Sequence, residues 1–252
     1  MSLYILHNNK FFSSYKGTQY TMAAKKIILI STLFLITSIM PQLHQDSHNY
    51  TIKVITGDAV EQFLPFIATQ VITTFKDYPY LYCGNYEEEI SFRTLLTQSQ
   101  DNAIAVAYYK ETPIGFLTGY PFTSFASHFE GSIDLFMHAD LDTEQYYYFG
   151  EIIIIPEHRG HQLSSQLFNV LENYAQNLGY KAACIVTEEH ETHPLKPDNY
   201  KSLEPLWNFL KYKKTSLITY CSWSTYQSDG NVIMQEHPLT YWIKTFTTLA
   251  PH

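Results

Sequence analysis

The sequence predicts a single α/β (α+β) domain in which helices flank a mixed β-sheet. Segments that alternate like β-strands recur between segments with helical spacing along most of the chain. Residues 146–155 (YYYFGEIIII) are apolar on both faces in their second half, which is typical of a central strand covered on both sides. Apolar residues then recur at helical spacing from Leu163 to Gly179, where the glycine is a typical C-terminal cap.

The remaining elements follow from the same two periodicities. Strands are predicted over residues 50–55, 103–109, 114–120, 181–187, 217–223 and 239–246, and helices over 58–75, 87–98 and 203–210. Pro65 lies inside the first helical pattern and predicts either a kink or a later start of that helix. Residues 121–145 show no clear period, so we expect a long irregular connection there, of a kind that is often functional.

The composition restricts the functions that are open to the chain. It has 252 residues, of which 45% are hydrophobic, enough for a full core. Acidic residues outnumber basic ones by 24 to 16, which gives a net charge of −8 and argues against a nucleic-acid partner. The three cysteines form no CxxC pair, so a zinc ribbon or a dense disulfide framework is not expected. Their odd number suits a reducing compartment.

Residues 1–49 differ from the rest, and we expect the folded domain to span residues 50–246. An apolar run at residues 27–40 is shorter than the roughly 20 residues that a transmembrane helix needs. Three interpretations stay open: an export signal, a short anchor over residues 22–40 on the inner face of a membrane, or sequence upstream of a start at Met22 or Met40. Met40 is favoured because no cleavage site follows the run. Any membrane contact would then be excluded, and we expect a cytoplasmic protein.

A turn at residues 156–165 joins the long strand to its helix. The free N–H groups and the dipole at such a helix N-terminus favour binding of a phosphate group. The turn contains neither the GxxxxGK[ST] pattern of a P-loop nor the GxGxxG pattern of a Rossmann fold. The sequence therefore predicts an anion site of another kind.

This strand–turn–helix segment resembles the signature of the GNAT superfamily of N-acetyltransferases, whose turn has the form [R/Q]-x-x-G-x-[G/A]. Here the turn begins at Arg159, and Gln162 departs from the pattern. Over roughly residues 50–246 the chain is similar to one bacterial branch of that superfamily. The motifs that carry this similarity are YPYLY at 78–82, YFGE at 148–151, HPLKPDNY at 193–200, LW at 206–207, KYK at 211–213, SW at 222–223 and PLTYW at 238–242.

The resemblance implies a GNAT-like sheet with splayed central strands and acetyl-CoA as the acetyl donor. The strand backbone would pair with the pantetheine arm, and the turn N–H groups would hold the pyrophosphate. The implied acetyl-CoA-binding residues are Ile152, Ile153, Ile154, Arg159, Gly160, His161, Gln162, Leu163, Ser164 and Ser165. The implied reaction is the direct attack of an amine on the thioester, which needs a base and an acid but no metal.

Glu151 and Tyr200 are the candidate catalytic residues. Glu151 precedes four isoleucines, so we expect burial to raise its pKa and suit it to act as a base. The alternatives are a carboxylate paired with Lys or Arg, or one at the wet end of the strand. Trp207 stands where many members of the superfamily have a tyrosine acid, and tryptophan has no titrating proton. Tyr200 is therefore the substitute acid, with simple packing as the alternative.

Histidines and tyrosines elsewhere allow further interpretations. Two HxxH spacings, at residues 158–161 and 190–193, have no local carboxylate or thiolate to complete a metal site, so no metal is expected. Residues 78–82 form either core or a wall of the acceptor pocket. The sequence does not identify the amine acceptor, and antibiotics, polyamines, amino acids and protein N-termini all stay open. Two other functions stay open: a non-catalytic acyl-CoA sensor, suggested by Trp207 and Gln162, and a membrane-anchored interaction protein, suggested by residues 27–40.

Overall fold

A seven-stranded mixed sheet forms the centre of the protein. The computed structural model describes residues 49–126, 129, 131–188 and 194–246. The strands lie in the order β1-β2-β3-β4-β5-β7-β6, and every neighbouring pair is antiparallel except β4 and β5, which run parallel. Their bounds are Tyr50–Thr56 (β1), Ala103–Tyr109 (β2), Thr112–Pro121 (β3), Tyr146–Ile154 (β4), Ala182–Glu188 (β5), Lys213–Tyr226 (β6) and Val232–Thr245 (β7). The predicted fold class is confirmed.

Helices cover both faces of this sheet. Their bounds are Leu64–Phe75 (α1), Tyr86–Arg93 (α2), Phe122–Ala126 (α3), Ser132–His138 (α4), Leu163–Asn177 (α5) and Glu204–Phe209 (α6). α1, α3 and α4 pack on one core, and α5 and α6 on the other. The side chains of β2 alternate between the two: Ile104 and Val106 face the first core, whereas three alanines face α5. These small residues leave room for the long helix.

Three elements differ from the sequence-based predictions. The first helix starts later than expected because Pro65 lies at its first turn, and Gly57–Phe63 form a 3₁₀-helix instead. The connection at 121–145 is not irregular: it contains α3 and α4, which are too short for a helical period to be visible. The last two strands extend well beyond residues 217–223 and 239–246, because much of their added length is exposed and lacks apolar alternation.

The first strand begins at Tyr50, where a strand was predicted. The export, anchor and start-site interpretations concern residues that precede the described part of the chain. Within the described residues, no helix has the length and apolar character needed to cross a bilayer.

Two leucines near α5 provide a test of this packing. Leu171 is fully buried against the sheet, whereas Leu178, just past the helix end, is 40% exposed. We expect Leu171→Ala to lower the free energy of unfolding by about 2–5 kcal/mol, because it removes buried methyl groups and leaves a cavity. Leu178→Ala should cost less than about 1 kcal/mol. Chemical denaturation of the two variants measures both values, and equal losses would contradict the described position of α5.

Candidate active site

The sheet opens between its two parallel strands. β4 and β5 pair only at Tyr146↔Ala182, Tyr147↔Ala183 and Tyr148↔Cys184, although both strands are described along their full length. Beyond this point β4 stays paired with β3, and β5 stays paired with β7. The edge of β4 that faces β5 is therefore open over residues 149–154. Backbone N–H and C=O groups on an open edge can pair with an extended ligand.

A β-bulge sets the direction of Glu151 at this edge. Leu117 pairs with Ile152 and Gly119 with Phe149, so that Gly150 and Glu151 together face Thr118. The Thr118 hydroxyl accepts a hydrogen bond from the Glu151 N–H at 3.0 Å and donates one to Glu151 Oε2 at 2.7 Å. A Cβ at position 150 would lie 2.5 Å from Thr118 Oγ1, so this arrangement requires glycine. The bulge thus re-aims a side chain beside a candidate site, as bulges often do.

Arg93 of α2 is the charged partner of Glu151. Its side chain is 3% exposed, and its Nη1 lies 2.8 Å from Glu151 Oε1. Its Nη2 donates to Glu89 Oε2 at 2.9 Å, and the Tyr82 hydroxyl donates to Glu89 Oε1 at 2.5 Å. Burial acts to lower the pKa of Arg93, but the surrounding groups, with Glu151 foremost, outweigh it and raise the pKa. The guanidinium therefore stays charged.

Glu151 is thus the arginine-paired carboxylate of the alternative interpretation. Its carboxylate lies between polar partners, Thr118 and Arg93, at the border of a cavity, whereas Ile153 and Ile154 are buried in the cores. Two carboxylates share one guanidinium, which leaves the cluster of Glu89, Arg93 and Glu151 with one net negative charge.

Glu151 lines a cavity of about 660 Å³, and Tyr200 and Trp207 line the same cavity. The Tyr200 ring packs edge-on against Tyr78, with 4.6 Å between the ring centroids. Burial and then the charge of Glu188 raise the pKa of Tyr200, so its phenol keeps its proton at neutral pH. Tyr78, Tyr80 and Tyr82 all line the same cavity. Of residues 78–82, all but the buried Leu81 therefore line the cavity.

The turn before α5 presents the N-terminus of that helix. Gly160 has a φ of +86°, and Gln162, immediately before the helix, has a φ of +59°. A side chain at a left-handed position is uncommon, which explains why a glycine is usual where Gln162 stands. The first N–H groups of α5, at Leu163, Ser164 and Ser165, have no acceptor within the helix and are suited to an anion.

Arg159 and the two histidines of the turn have structural partners. Arg159 Nε donates to the carbonyl of Ile154 at 2.9 Å, which ties the turn to the end of β4. The Tyr50 hydroxyl lies 3.0 Å from His158 Nδ1, and the His161 ring lies 4.9 Å from the Tyr50 ring. Among the described residues, no group of three or more His, Cys, Asp or Glu side chains is arranged to hold a metal ion. His190 and His193 are not among those residues.

The predicted site residues fall into two neighbouring places. Glu151, Ile152 and Tyr200 line the cavity, whereas the turn residues 159–165 lie outside its described lining. β4 joins the two places directly. Sequence reasoning missed Arg93, Glu89 and Thr118. A Glu and an Arg four residues apart in a predicted helix were visible at positions 89 and 93, but nothing in the sequence connected them to a strand 58 residues away.

A family model described as the acetyltransferase (GNAT) family matches residues 69–195, half of the chain. The chain belongs to this family. The matched range includes β4, the turn, α5 and β5. No curated protein has a sequence that matches this chain.

Solved structures show the same fold at low identity. An N-acetyltransferase from Staphylococcus aureus Mu50 has a TM-score of 0.50 at 15% identity, over 78% of this chain and 98% of its own. A ribosomal-protein-alanine N-acetyltransferase from Brucella melitensis has a TM-score of 0.50 at 12% identity, over 78% of this chain and 99% of its own. At these identities the likeness concerns the fold alone.

The hydroxyl of Thr118 is the testable element of the bulge. We expect Thr118→Val to lower the free energy of unfolding by about 1–3 kcal/mol, because it leaves the Glu151 N–H without its partner. Thr118→Ser keeps the hydroxyl and should retain most of the stability. Urea denaturation of both variants gives the comparison, and a valine variant as stable as the serine variant would count against the two hydrogen bonds.

Proposed function

We propose that this protein transfers an acetyl group from acetyl-CoA to an amine by direct attack. The observation that carries the proposal is the open edge of β4, which ends at the N-terminus of α5 and has Glu151 beside it at a cavity. Membership of the acetyltransferase family supports acetyl-CoA as the donor. Because this donor is made and kept inside cells, we also infer a cytoplasmic site of action.

The donor would lie along β4 and end at the turn. The backbone of Ile152, Ile153 and Ile154 would pair with the pantetheine arm. The N–H groups of Gly160 through Ser165 would hold the pyrophosphate, with Arg159 positioning the turn through Ile154. Space is available for this, since a Cβ built at Gly160 meets no described atom within 4 Å.

Glu151 and Tyr200 would handle the protons of the reaction. Glu151 takes a proton from the ammonium group, and the free amine nitrogen attacks the thioester carbonyl carbon. A C–N bond forms, the C–S bond breaks, and the proton of Tyr200 goes to the leaving thiolate. The net negative charge of the Glu89–Arg93–Glu151 cluster favours the approach of a cationic amine.

A second candidate function, an acyl-CoA sensor without catalysis, is favoured by one observation. Trp207 is buried at the cavity, where the resemblance led us to expect a tyrosine acid. Release of CoA in the presence of a broad panel of amines supports the enzyme. Tight binding of acetyl-CoA without release for any amine supports the sensor.

Donor binding at the turn can be tested with two glycines. We expect Gly160→Glu to weaken acetyl-CoA binding by about tenfold or more, since a carboxylate at a helix N-terminus repels the pyrophosphate and occupies its place. Gly179→Glu is the matched control: its φ of +101° is equally unfavourable for a side chain, its surroundings are equally open, and it lies beyond the other end of α5. Calorimetry measures both, and equal affinities would exclude the turn as the donor site.

The role of Glu151 can be tested by Glu151→Gln, which keeps the shape of the side chain. We expect kcat to fall by about 10²–10⁴-fold, the usual contribution of a general base, with little change in acetyl-CoA affinity. Glu87→Gln, on the exposed side of α2, controls for loss of a charge. Thermal denaturation of both variants shows whether the fold is kept. A Glu151→Gln enzyme within a factor of two of the wild type would remove Glu151 from the mechanism.

A further inference from the structure

Two carboxylates, one on each of the parted strands, line the cavity together with Tyr80. Glu151 lies three residues beyond the last β4–β5 pair, and Glu188 lies four residues beyond the same pair on β5. Burial foremost, then the neighbouring Glu188, Tyr200 and Glu151, raise the pKa of Tyr80. The Tyr80 ring lines the same cavity as both carboxylates, so negative charge is close to it. A negative field at an aromatic ring favours a cation next to that ring.

The charged groups of the cavity are mostly paired with one another. Five carboxylates line it, and three of them have a cationic partner: Glu89 and Glu151 share Arg93, and Glu204 lies 3.3 Å from Lys214 Nζ. Glu188 contacts His237, whose pKa burial lowers to about 4, so this histidine carries no charge at neutral pH. Lys196 and Lys214 also line the cavity. Against the five carboxylates stand Arg93, Lys196 and Lys214, which leaves the lining with only two net negative charges. The charges therefore favour a ligand of low positive charge, such as a monoamine, over a polycation.

Aromatic rings also line the cavity. Six of the rings that line the cavity are only half-buried: Phe75, Tyr80, Tyr82, Phe92, Tyr200 and Trp223. The Tyr80 ring lies 4.4 Å from the Phe75 ring and 6.3 Å from the Trp223 ring. The indole N–H of Trp223 donates to the Tyr80 carbonyl at 3.0 Å. The His237 ring stacks on the Trp223 ring, with 3.7 Å between the ring centroids. These contacts hold the rings in place before a ligand binds.

We propose that the acceptor is a monoamine that carries an aromatic ring, with its ammonium group between Glu151 and the Tyr80 ring. Its own ring packs against the aromatic group of Phe75, Tyr80 and Trp223. This inference rests on the proposed function, because it names the substrate class of the same site. The charge of Glu151 attracts the ammonium group and so places the reacting nitrogen beside the base. Most of the affinity comes from the ring contacts, because the carboxylates of Glu89, Glu151 and Glu204 are already paired with cations.

The test measures amine binding to the full-length protein by calorimetry, without acetyl-CoA. Three probes separate the two features of the proposed ligand. 2-Phenylethylamine carries an ammonium group and an aromatic ring, spermidine carries ammonium groups without a ring, and 2-phenylethanol carries the ring without an ammonium group. We expect 2-phenylethylamine to bind at least about tenfold more tightly than either other probe. Spermidine lacks the ring, whose burial is worth that factor or more, and 2-phenylethanol lacks the ammonium group that Glu151 attracts. Spermidine binding as tightly as 2-phenylethylamine would overturn the proposal, as would equal binding of 2-phenylethanol.

Variants of Tyr80 locate the binding. Tyr80→Leu removes the ring and should weaken 2-phenylethylamine binding by about tenfold, whereas Tyr80→Phe keeps the ring and should stay within about twofold. Tyr220→Leu, at a 54% exposed position on β6 outside the described lining, should change nothing. If the two Tyr80 variants lose affinity equally, or the leucine variant matches Tyr220→Leu, the ring is not the contact and the proposal fails.

CoA release, measured separately, distinguishes this proposal from the proposed function. Turnover of spermidine with no binding of 2-phenylethylamine would uphold acetyl transfer and overturn the aromatic acceptor. Tight, Tyr80-dependent binding of 2-phenylethylamine with no CoA release from any amine would overturn acetyl transfer and uphold the aromatic monoamine as the ligand class of the cavity.

Discussion

The parting of β4 and β5 after Tyr148 is the constraint on which the rest of the structure depends. Each strand keeps its outer partner, so the sheet stays intact on both sides of the opening. The facing edges, however, give up hydrogen bonds, and a buried polar group without a partner costs about 1–3 kcal/mol. The cavity between the strands offsets this cost, because it leaves those edges accessible to water or to an extended ligand. The stability of the opening therefore depends on these edges remaining accessible.

Aromatic side chains from α5 and α6 pack against β4 beside this opening. Phe168 of α5 lies edge-on to Phe149 of β4 and to Trp207 of α6, with ring centroids 5.5 Å and 5.8 Å apart. Both Phe168 and Trp207 also line the cavity. Trp207 thus has a packing role at the position where a tyrosine was expected, which accounts for its burial without a proton-transfer role. Tyr200 reaches the same cavity from the loop before α6.

The fold could be predicted where the pattern of a segment reflects its surroundings directly. The second half of β4 is apolar on both faces because helices cover both sides of the sheet there, and α5 shows a clear apolar stripe because it packs on one side only. The helices at 122–126 and 132–138 were missed because one or two turns carry no readable period. The exposed start of β7 was missed because Val232, Ile233 and Met234 are three consecutive apolar residues that face solvent, so they do not show the alternation that marks a half-buried strand.

The candidate site could be predicted only as far as it is local in sequence. Glu151, the isoleucines and the turn are consecutive, so one segment indicated them together. The groups that orient Glu151 come from α2 and β3, 58 and 33 positions earlier. The register of the sheet brings Thr118 to the bulge, and the tertiary packing of α2 brings Arg93 there. The same distance explains the wrong expectation for its surroundings. A run of isoleucines indicates burial of the strand, but a bulge of one residue changes which way a side chain points.

The contact with Arg93 leaves part of the hydrogen-bonding capacity of the Glu151 carboxylate unused. The aligned hydrogen bond of the guanidinium goes to Glu89, whereas the contact from Nη1 to Glu151 is close but not directed along an N–H bond. Thr118 donates a single hydrogen bond to the other oxygen of Glu151. Each carboxylate oxygen has two acceptor sites, so this arrangement fixes the side chain while leaving acceptor capacity toward the cavity. Arg93 therefore orients the Glu151 carboxylate chiefly through its charge. Glu89 shares this charge, so the guanidinium is not paired with Glu151 alone.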